Sequence, residues 1–364
     1  MRRPNFSSGS YRDMAVVSLR SLSDPKLSAP AVELFSRIAA QPRFPDASLA
    51  RIKNQLLAGF EYDKQNPGQL ASLALFEQLY GAHPYAHSSS GDATSVPKLT
   101  RQQLQEFHRT YYNANNAQIA LVGDLTLEQA KAISEKVSAR LPRGQAAAKT
   151  VAPKANVAAK IHIEHPSTQT HILLAQLAVK RGDPDYPALF LGNQILGGGG
   201  FGTRLMEEVR EKRGLTYGIY SSFSPMQADG PFMINVQTRA QLSAVTLQLV
   251  QDLLRDYIKN GPSAAELAKA KRESLGSFPL SAASNSAIVG QLAAIGFYDM
   301  PLTWMSDFMQ DLQQLTVEDV HEAFKRHLNP EHLVVVTAGP TVEQLPLPEP
   351  VERANTDAPM ERQH

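Results

Sequence analysis

The chain has 364 residues, a formal net charge of +1 and no cysteine. Near-neutral charge gives no electrostatic footprint for nucleic acid or an anionic membrane surface, and the missing thiols exclude disulfides, Cys-ligated zinc, iron–sulfur clusters and thiol catalysis. The length exceeds one ordinary core and predicts two domains, while no apolar run reaches the roughly 18 residues needed to span a bilayer.

The opening stretch, MRRPNFSSGSYRDM, has a basic pair with no apolar core behind it, so it is not expected to act as a signal peptide. Ala15–Leu22 alternates and is β-branched, which predicts a strand. Helices are predicted over Pro30–Ala40, Asp46–Glu61 and Leu70–Tyr80, then another after Leu99-Thr100, followed by a strand at Gln118–Val122. Leu141–Ala159, rich in Ala, Lys and Pro, reads as a linker. Beyond it, His162–His165 alternates like a strand, and Phe232–Arg239 is a second strand. Helices follow over Leu242–Lys259, Ser263–Phe278 and Ser284–Phe297, then one after Leu315-Thr316, and a strand at Leu333–Thr337. After Leu345 the chain turns Pro- and charge-rich and is expected to be a disordered tail.

The two halves repeat. KLTRQQLQEFHRTYYNANNAQIALVGD matches QLTVEDVHEAFKRHLNPEHLVVVTAGP, with Leu99, Thr100, Asn113 and Gly123 each 216 positions before Leu315, Thr316, Asn329 and Gly339. Upstream, Leu49, Ala50, Lys53, Leu57 and Phe60 stand 218 positions before Leu267, Ala268, Lys271, Leu275 and Phe278. A near-constant offset predicts two copies of one domain. The expected fold class is α+β: two homologous α/β sandwich domains, helices packed on a mainly antiparallel sheet. The expected division is a first domain at 1–140, a linker at 141–159, a second domain at 160–345 and a tail at 346–364. The first domain is expected to be incomplete, because Met1 falls opposite the strand that begins near Tyr217, and two strands and a helix would precede it in a full copy.

The densest signal is GGGGFGTRLMEEVREKRGLTYGIYSSF, Gly197 to Phe223. Gly197, Gly198, Gly199 and Gly200 lead into a short charged helix, a turn at Arg213-Gly214 and a strand rich in Tyr and Ser. No Lys-Ser/Thr pair follows the glycines and a helix precedes them, which argues against a phosphate loop and for a flexible arm. Arg210 and Tyr217, seven residues apart, put a cation and a phenol beside that arm. On their chemistry alone two readings stand: a grip on peptide backbone or a terminal carboxylate, or Arg210 paired with Glu207 or Glu208 while Tyr217 only packs.

The run G-G-G-x-x-x-R-L followed by V-R-E-K-R-G-L-T-Y resembles the second domain of the pitrilysin/insulinase family of zinc metallopeptidases. YGAHPYAH and LQEFHRTYYNANNAQIALVGDL resemble the later part of that family's first domain, and SSGSYRDMAVVSLRSLSD resembles its bacterial non-catalytic subunits. The resemblance runs from about Ser7 to Pro340. It implies that Arg210 and Tyr217 contact the backbone or C-terminal end of a peptide substrate.

The family's zinc is held by an inverted His-x-x-Glu-His helix and a later Glu, with a Glu as general base to the zinc-bound water. None of the ten histidines fits. His83 and His87 enclose Pro84 and no acid; HIEH, from His162 to His165, is one residue short; His321, His327 and His332 match no part of the pattern. The later Glu aligns with Ile52, and no acid stands between Asp46 and Glu61. The resemblance therefore implies a non-catalytic subunit with no metal of its own, paired with a homologous zinc-bearing peptidase subunit and acting on peptides, with the periplasm as the implied location. Two alternatives remain: an active zinc endopeptidase whose motif lies upstream of Met1, and a purely structural assembly subunit. A first domain lacking strands also predicts aggregation through its open sheet edge.

Overall fold

The computed structural model describes residues 3–351; the end of the predicted tail, residues 352–364, lies outside them. The chain opens with a hairpin, β1 (Asn5–Ser10) and β2 (Ala15–Arg20), paired antiparallel. β1 escapes a pattern search because NFSSGS has a single large apolar residue. Five helices follow: α1 (Pro25–Ala40), α2 (Asp46–Asp63), α3 (Pro67–Tyr80), α4 (Arg101–Tyr111) and α5 (Leu127–Ser138). Their starts are chemically marked. The Asp24 side chain accepts from Lys26 N, and Asn66 accepts from Gln69 N, each with Pro in the first turn.

After an irregular stretch come β3 (Ala159–Glu164), β4 (Gln169–Val179), α6 (Tyr186–Asn193), β5 (Ile219–Phe223), β6 (Gly230–Arg239), α7 (Ser243–Asn260), α8 (Ala264–Ser277), α9 (Asn285–Phe297), α10 (Trp304–Gln314), α11 (Val317–His327) and β7 (Val334–Gly339). The strands form one five-stranded sheet in the order β3-β7-β4-β6-β5. Only β3 and β7 run parallel, so the sheet is mainly antiparallel, as expected. No single helix among the described residues is long and apolar enough to cross a membrane.

Both faces of this sheet are buried. On one face, Ile172, Leu174, Ile219, Phe232, Ile234 and Val236 pack with Leu189, Leu254, Tyr257 and Phe324 from α6, α7 and α11. Because strand side chains alternate, Leu173 and Ala175 of β4 point the other way. There they meet Val334, Val336 and Ala338 of β7 and are covered by Ala71, Leu75 and Leu79 of α3. A helix from the first half thus closes the sheet of the second.

The repeat is visible in the bonding. Thr100 and Thr316 each form a capping box at the start of α4 and α11. Asn113 accepts from Asn115 N at 3.0 Å, and Asn329 accepts from Glu331 N at 3.0 Å. Lys53 Nζ donates to Pro97 O at 2.9 Å, and Lys271 Nζ donates to Gln313 O at 2.9 Å. One correspondence fails. Gln118–Val122, the counterpart of β7, forms no strand among the described residues. β7 is bonded on both edges, by β3 and β4; residues 118–122 have no such neighbours, and an apolar run without ladder partners is not a strand.

Candidate functional site

The Gly-rich segment begins inside a helix. α6 continues as a π-helical turn, Gln194–Gly198, so Gly197 and Gly198 are helical and the arm proper is Gly199 to Gly202. Gly197 is there for space: a Cβ would stand 2.6 Å from Ser221 Oγ and 2.8 Å from Leu205 Cδ1. That close approach lets Asn193 and Ser221 bond twice, Ser221 Oγ to Asn193 Oδ1 at 2.6 Å and Asn193 Nδ2 to Ser221 O at 3.0 Å. Gly200 (φ +78) and Gly202 (φ +79) adopt the left-handed conformation on either side of Phe201, whose ring is 73% exposed.

A second π-helical turn, Met206–Glu211, follows. Its signature is the Lys212 N–H donating to Glu207 O at 2.9 Å, five residues back. Met206 and Val209 bury one side, which turns Arg210 outward. Arg210 pairs with Glu211 at 3.3 Å, and its guanidinium lies 4.7 Å from the Phe201 ring centroid. The Glu207 or Glu208 pairing weighed from the sequence does not form: Glu208 is held by Lys212 at 2.5 Å and Arg213 at 2.7 Å. Those two cations hold the Glu208 carboxyl below its ordinary pKa, against the opposing effect of its own burial. Tyr217 is 90% exposed, which rules out the packing reading. It stands two residues before β5, so the strand starts later than expected. No hydrogen bond or ring contact among the described residues joins Arg210 to Tyr217. β5 is an outer strand of the sheet.

No histidines among the described residues assemble the family's His-x-x-Glu-His ligand set, and several are bound to backbone. His83 is buried, accepts from Tyr85 N, and lies 2.9 Å from Val151 O. His321 reaches Ile258 O and Lys259 O at the end of α7. His162, in β3, contacts Thr337 and Glu164. Ile52 sits on α2 and is 46% exposed. One grouping escaped the sequence: α11 carries His327 to Asp183 and Asp185 at the start of α6. No local spacing links residues so far apart in the chain, and D-P-D before a helix is too common a cap to have flagged it.

Residues 98–274 match the description "Peptidase M16 inactive domain". A crystal structure of a peptidase M16 inactive domain from Pseudomonas fluorescens is 59% identical, with a TM-score of 0.92 over 94% of this chain and 82% of that one. The chain belongs to the peptidase M16 inactive-domain family. The resemblance carried by Gly197 to Tyr217 therefore holds. Among curated relatives, the M16 chain is 24% identical over 302 residues to the non-peptidase homolog YmxG of Helicobacter pylori, covering 82% of this chain and 69% of the relative. It is 28% identical over 278 residues to an uncharacterized zinc protease of Mycobacterium bovis, covering 74% of this chain and 62% of the relative. The M16 chain thus spans about two thirds or less of these relatives' length. Family and relatives support a non-catalytic M16-like protein.

Proposed function

We propose that this chain is the non-catalytic subunit of a two-subunit zinc peptidase and supplies a peptide grip to a homologous, zinc-bearing partner. The observation that carries the reading is the 90% exposure of Tyr217; Arg210, with its side chain 31% exposed, rests on Phe201 of the Gly199–Gly202 turn rather than in the core. The guanidinium can take a carboxylate in bidentate fashion. The phenol O–H can donate to a peptide carbonyl or a developing oxyanion. The free edge of β5 can pair with an extended peptide by strand addition. The residues here do not fit a zinc ligand set of the family's kind, with Ile52 at the position of the acid. Zinc and general base therefore belong to the partner, and no step runs through metal in this chain.

The test is a peptidase assay of the homologous zinc-bearing subunit with and without this chain. The pair is expected to cleave faster than the partner alone. Arg210→Ala and Tyr217→Phe are each expected to lower kcat/KM of the pair by about 10-fold, the equivalent of about 1.4 kcal/mol of lost binding to the transition state. A partner that is fully active alone, or a pair indifferent to both substitutions, would sink the shared-site reading.

A further inference from the structure

Asp183, Asp185 and His327 form a cluster that the peptide grip does not use. Asp183 and Asp185 lie in the turn between β4 and α6, and His327 ends α11. Each offers one ligand atom, and the three atoms lie within 4.8 Å of one another. His327 Nε2 is 3.0 Å from Asp185 Oδ2 and 3.8 Å from Asp183 Oδ1. The His327, Asp183 and Asp185 side chains are 15%, 20% and 25% exposed, partly dehydrated yet open to solvent.

The other ring nitrogen constrains what Nε2 can be. His327 Nδ1 is 2.9 Å from the Ala178 carbonyl oxygen, which can only accept, so Nδ1 carries a proton. In the neutral ring Nε2 then holds a lone pair, and it faces two carboxylates. That arrangement is repulsive unless a cation stands between them, either a second ring proton or a metal ion. A ring N–H tied to a backbone carbonyl is also the usual outer support of a metal-binding histidine. Asp183 is oriented as well, because its Oδ1 accepts from the Asp185 N–H at 2.9 Å. Arg326 grips Asp185 through Nε at 2.9 Å and Nη2 at 2.8 Å. Two carboxylates, one guanidinium and a neutral imidazole leave the cluster one negative charge in excess.

We propose that Asp183, Asp185 and His327 bind a divalent cation of the zinc class. Tetrahedral coordination with bonds of about 2.0–2.2 Å separates neighbouring ligand atoms by about 3.3–3.6 Å, and the 3.0 and 3.8 Å separations bracket that spacing. One imidazole nitrogen and two carboxylate oxygens are an accepted zinc donor set, leaving a fourth position for water. The sequence alone predicts no metal anywhere in this chain; a site at Asp183, Asp185 and His327 departs from that expectation, at residues outside the catalytic pattern. The ion would tie the end of α11 to the base of α6, the helix that runs into the glycine turn. The inference stands whether or not the peptide-grip reading does.

The test uses the whole chain stripped with EDTA and titrated with Co²⁺, followed by its visible absorption, then with Zn²⁺ as competitor and by thermal unfolding. One saturable equivalent of Co²⁺, displaced by Zn²⁺, and a raised melting temperature with Zn²⁺ are expected. Asp183→Asn keeps an oxygen for the Asp185 N–H and leaves the Arg326–Asp185 pair intact; it is expected to weaken binding at least 10-fold. His327→Gln is expected to abolish binding, and His162→Gln to leave it unchanged. Should His327→Gln fail to fold, Asp183→Asn decides, given a metal-free melting temperature matching that of the unsubstituted chain. Absence of a saturable equivalent, or binding that Asp183→Asn does not weaken, overturns the proposal and leaves a protonated His327 ion pair as the account of the cluster.

Discussion

Arg204 holds three parts of the second half through one guanidinium. It donates to both oxygens of Glu266, at 2.7 and 2.8 Å, and to Gly261 O at 3.0 Å, and lies 4.8 Å from the Tyr257 ring centroid. Glu266 also completes the capping box of α8 with Ser263. The hydrogen bonds from Arg204 lead in lowering the Glu266 carboxyl from its ordinary 4.5 to about 2; the Ser263 hydrogen bonds add to this and burial opposes it. A carboxyl whose pKa is depressed by folding stabilises the fold above its unfolded value and loses that contribution as pH falls toward its folded value. The stability gap between the unsubstituted chain and Glu266→Gln is therefore expected to be full at neutral pH, to shrink below about pH 4.5 and to close near pH 2. Urea unfolding across that range measures it, and a gap independent of pH would contradict the pairing. The S-x-x-E spacing of the cap is plain in the sequence. The arrival of Arg204, 62 residues earlier, is not, because a cap is a local bond and the ion pair depends on how α8 packs.

At the scale of elements, α3 shows the division of labour most clearly. Its helical period, its Asn66 cap and Pro67 mark it within the first half. Its buried side, Ala71, Leu75 and Leu79, lies on the sheet of the second half. β4 carries the matching hint: Ile172 to Val179 is apolar with almost no alternation, the mark of a strand covered on both faces. Leu75 is 1% exposed, so Leu75→Ala is expected to destabilise the chain by about 3 kcal/mol. Leu73, 40% exposed on the same helix, is expected to cost under about 1 kcal/mol when changed to Ala. Denaturant unfolding of the two variants checks the contrast, and equal losses would place the packing face elsewhere. Gln118–Val122 is the converse case. Its apolar run is as strand-like as β7, but β-structure is made by partners, and it has none among the described residues.

At the scale of the whole molecule the two halves are unequally covered. The second half closes a core on both sides of its sheet. In the first half α2 and α4 have no buried residue, and Ile38 (45%), Phe107 (56%), Tyr111 (44%), Ile119 (39%) and Leu127 (65%) stand exposed. Ile119 and Leu127 line one shallow depression and the Phe107 and Tyr111 rings lie 4.8 Å apart, and apolar side chains grouped on a surface mark association. The chain by itself is expected to self-associate as its concentration rises, in sedimentation velocity, and a monomer throughout the accessible range would contradict this. The two halves are nonetheless tied directly. Asp13 accepts from Tyr298 OH at 2.8 Å and from Gln227 N at 2.8 Å, and also from Tyr85 OH. Tyr85 and Tyr298 have raised pKa values, first through burial and then through their bonds to that carboxylate.

The sequence by itself determined the helices, the matched caps of the repeat and the family, and it singled out Arg210 and Tyr217 beside the glycines. These rest on period, caps and motif spacing, which neighbouring residues settle among themselves. Only the tertiary structure decided that α3 serves the other half's sheet, that residues 118–122 form no strand, that Arg210 rests on Phe201 and Glu211, and that His327 meets Asp183 and Asp185. Strand ladders and helix crossings join residues remote in the chain, and apart from Arg210 beside Glu211, no short-range rule specifies which remote groups will meet.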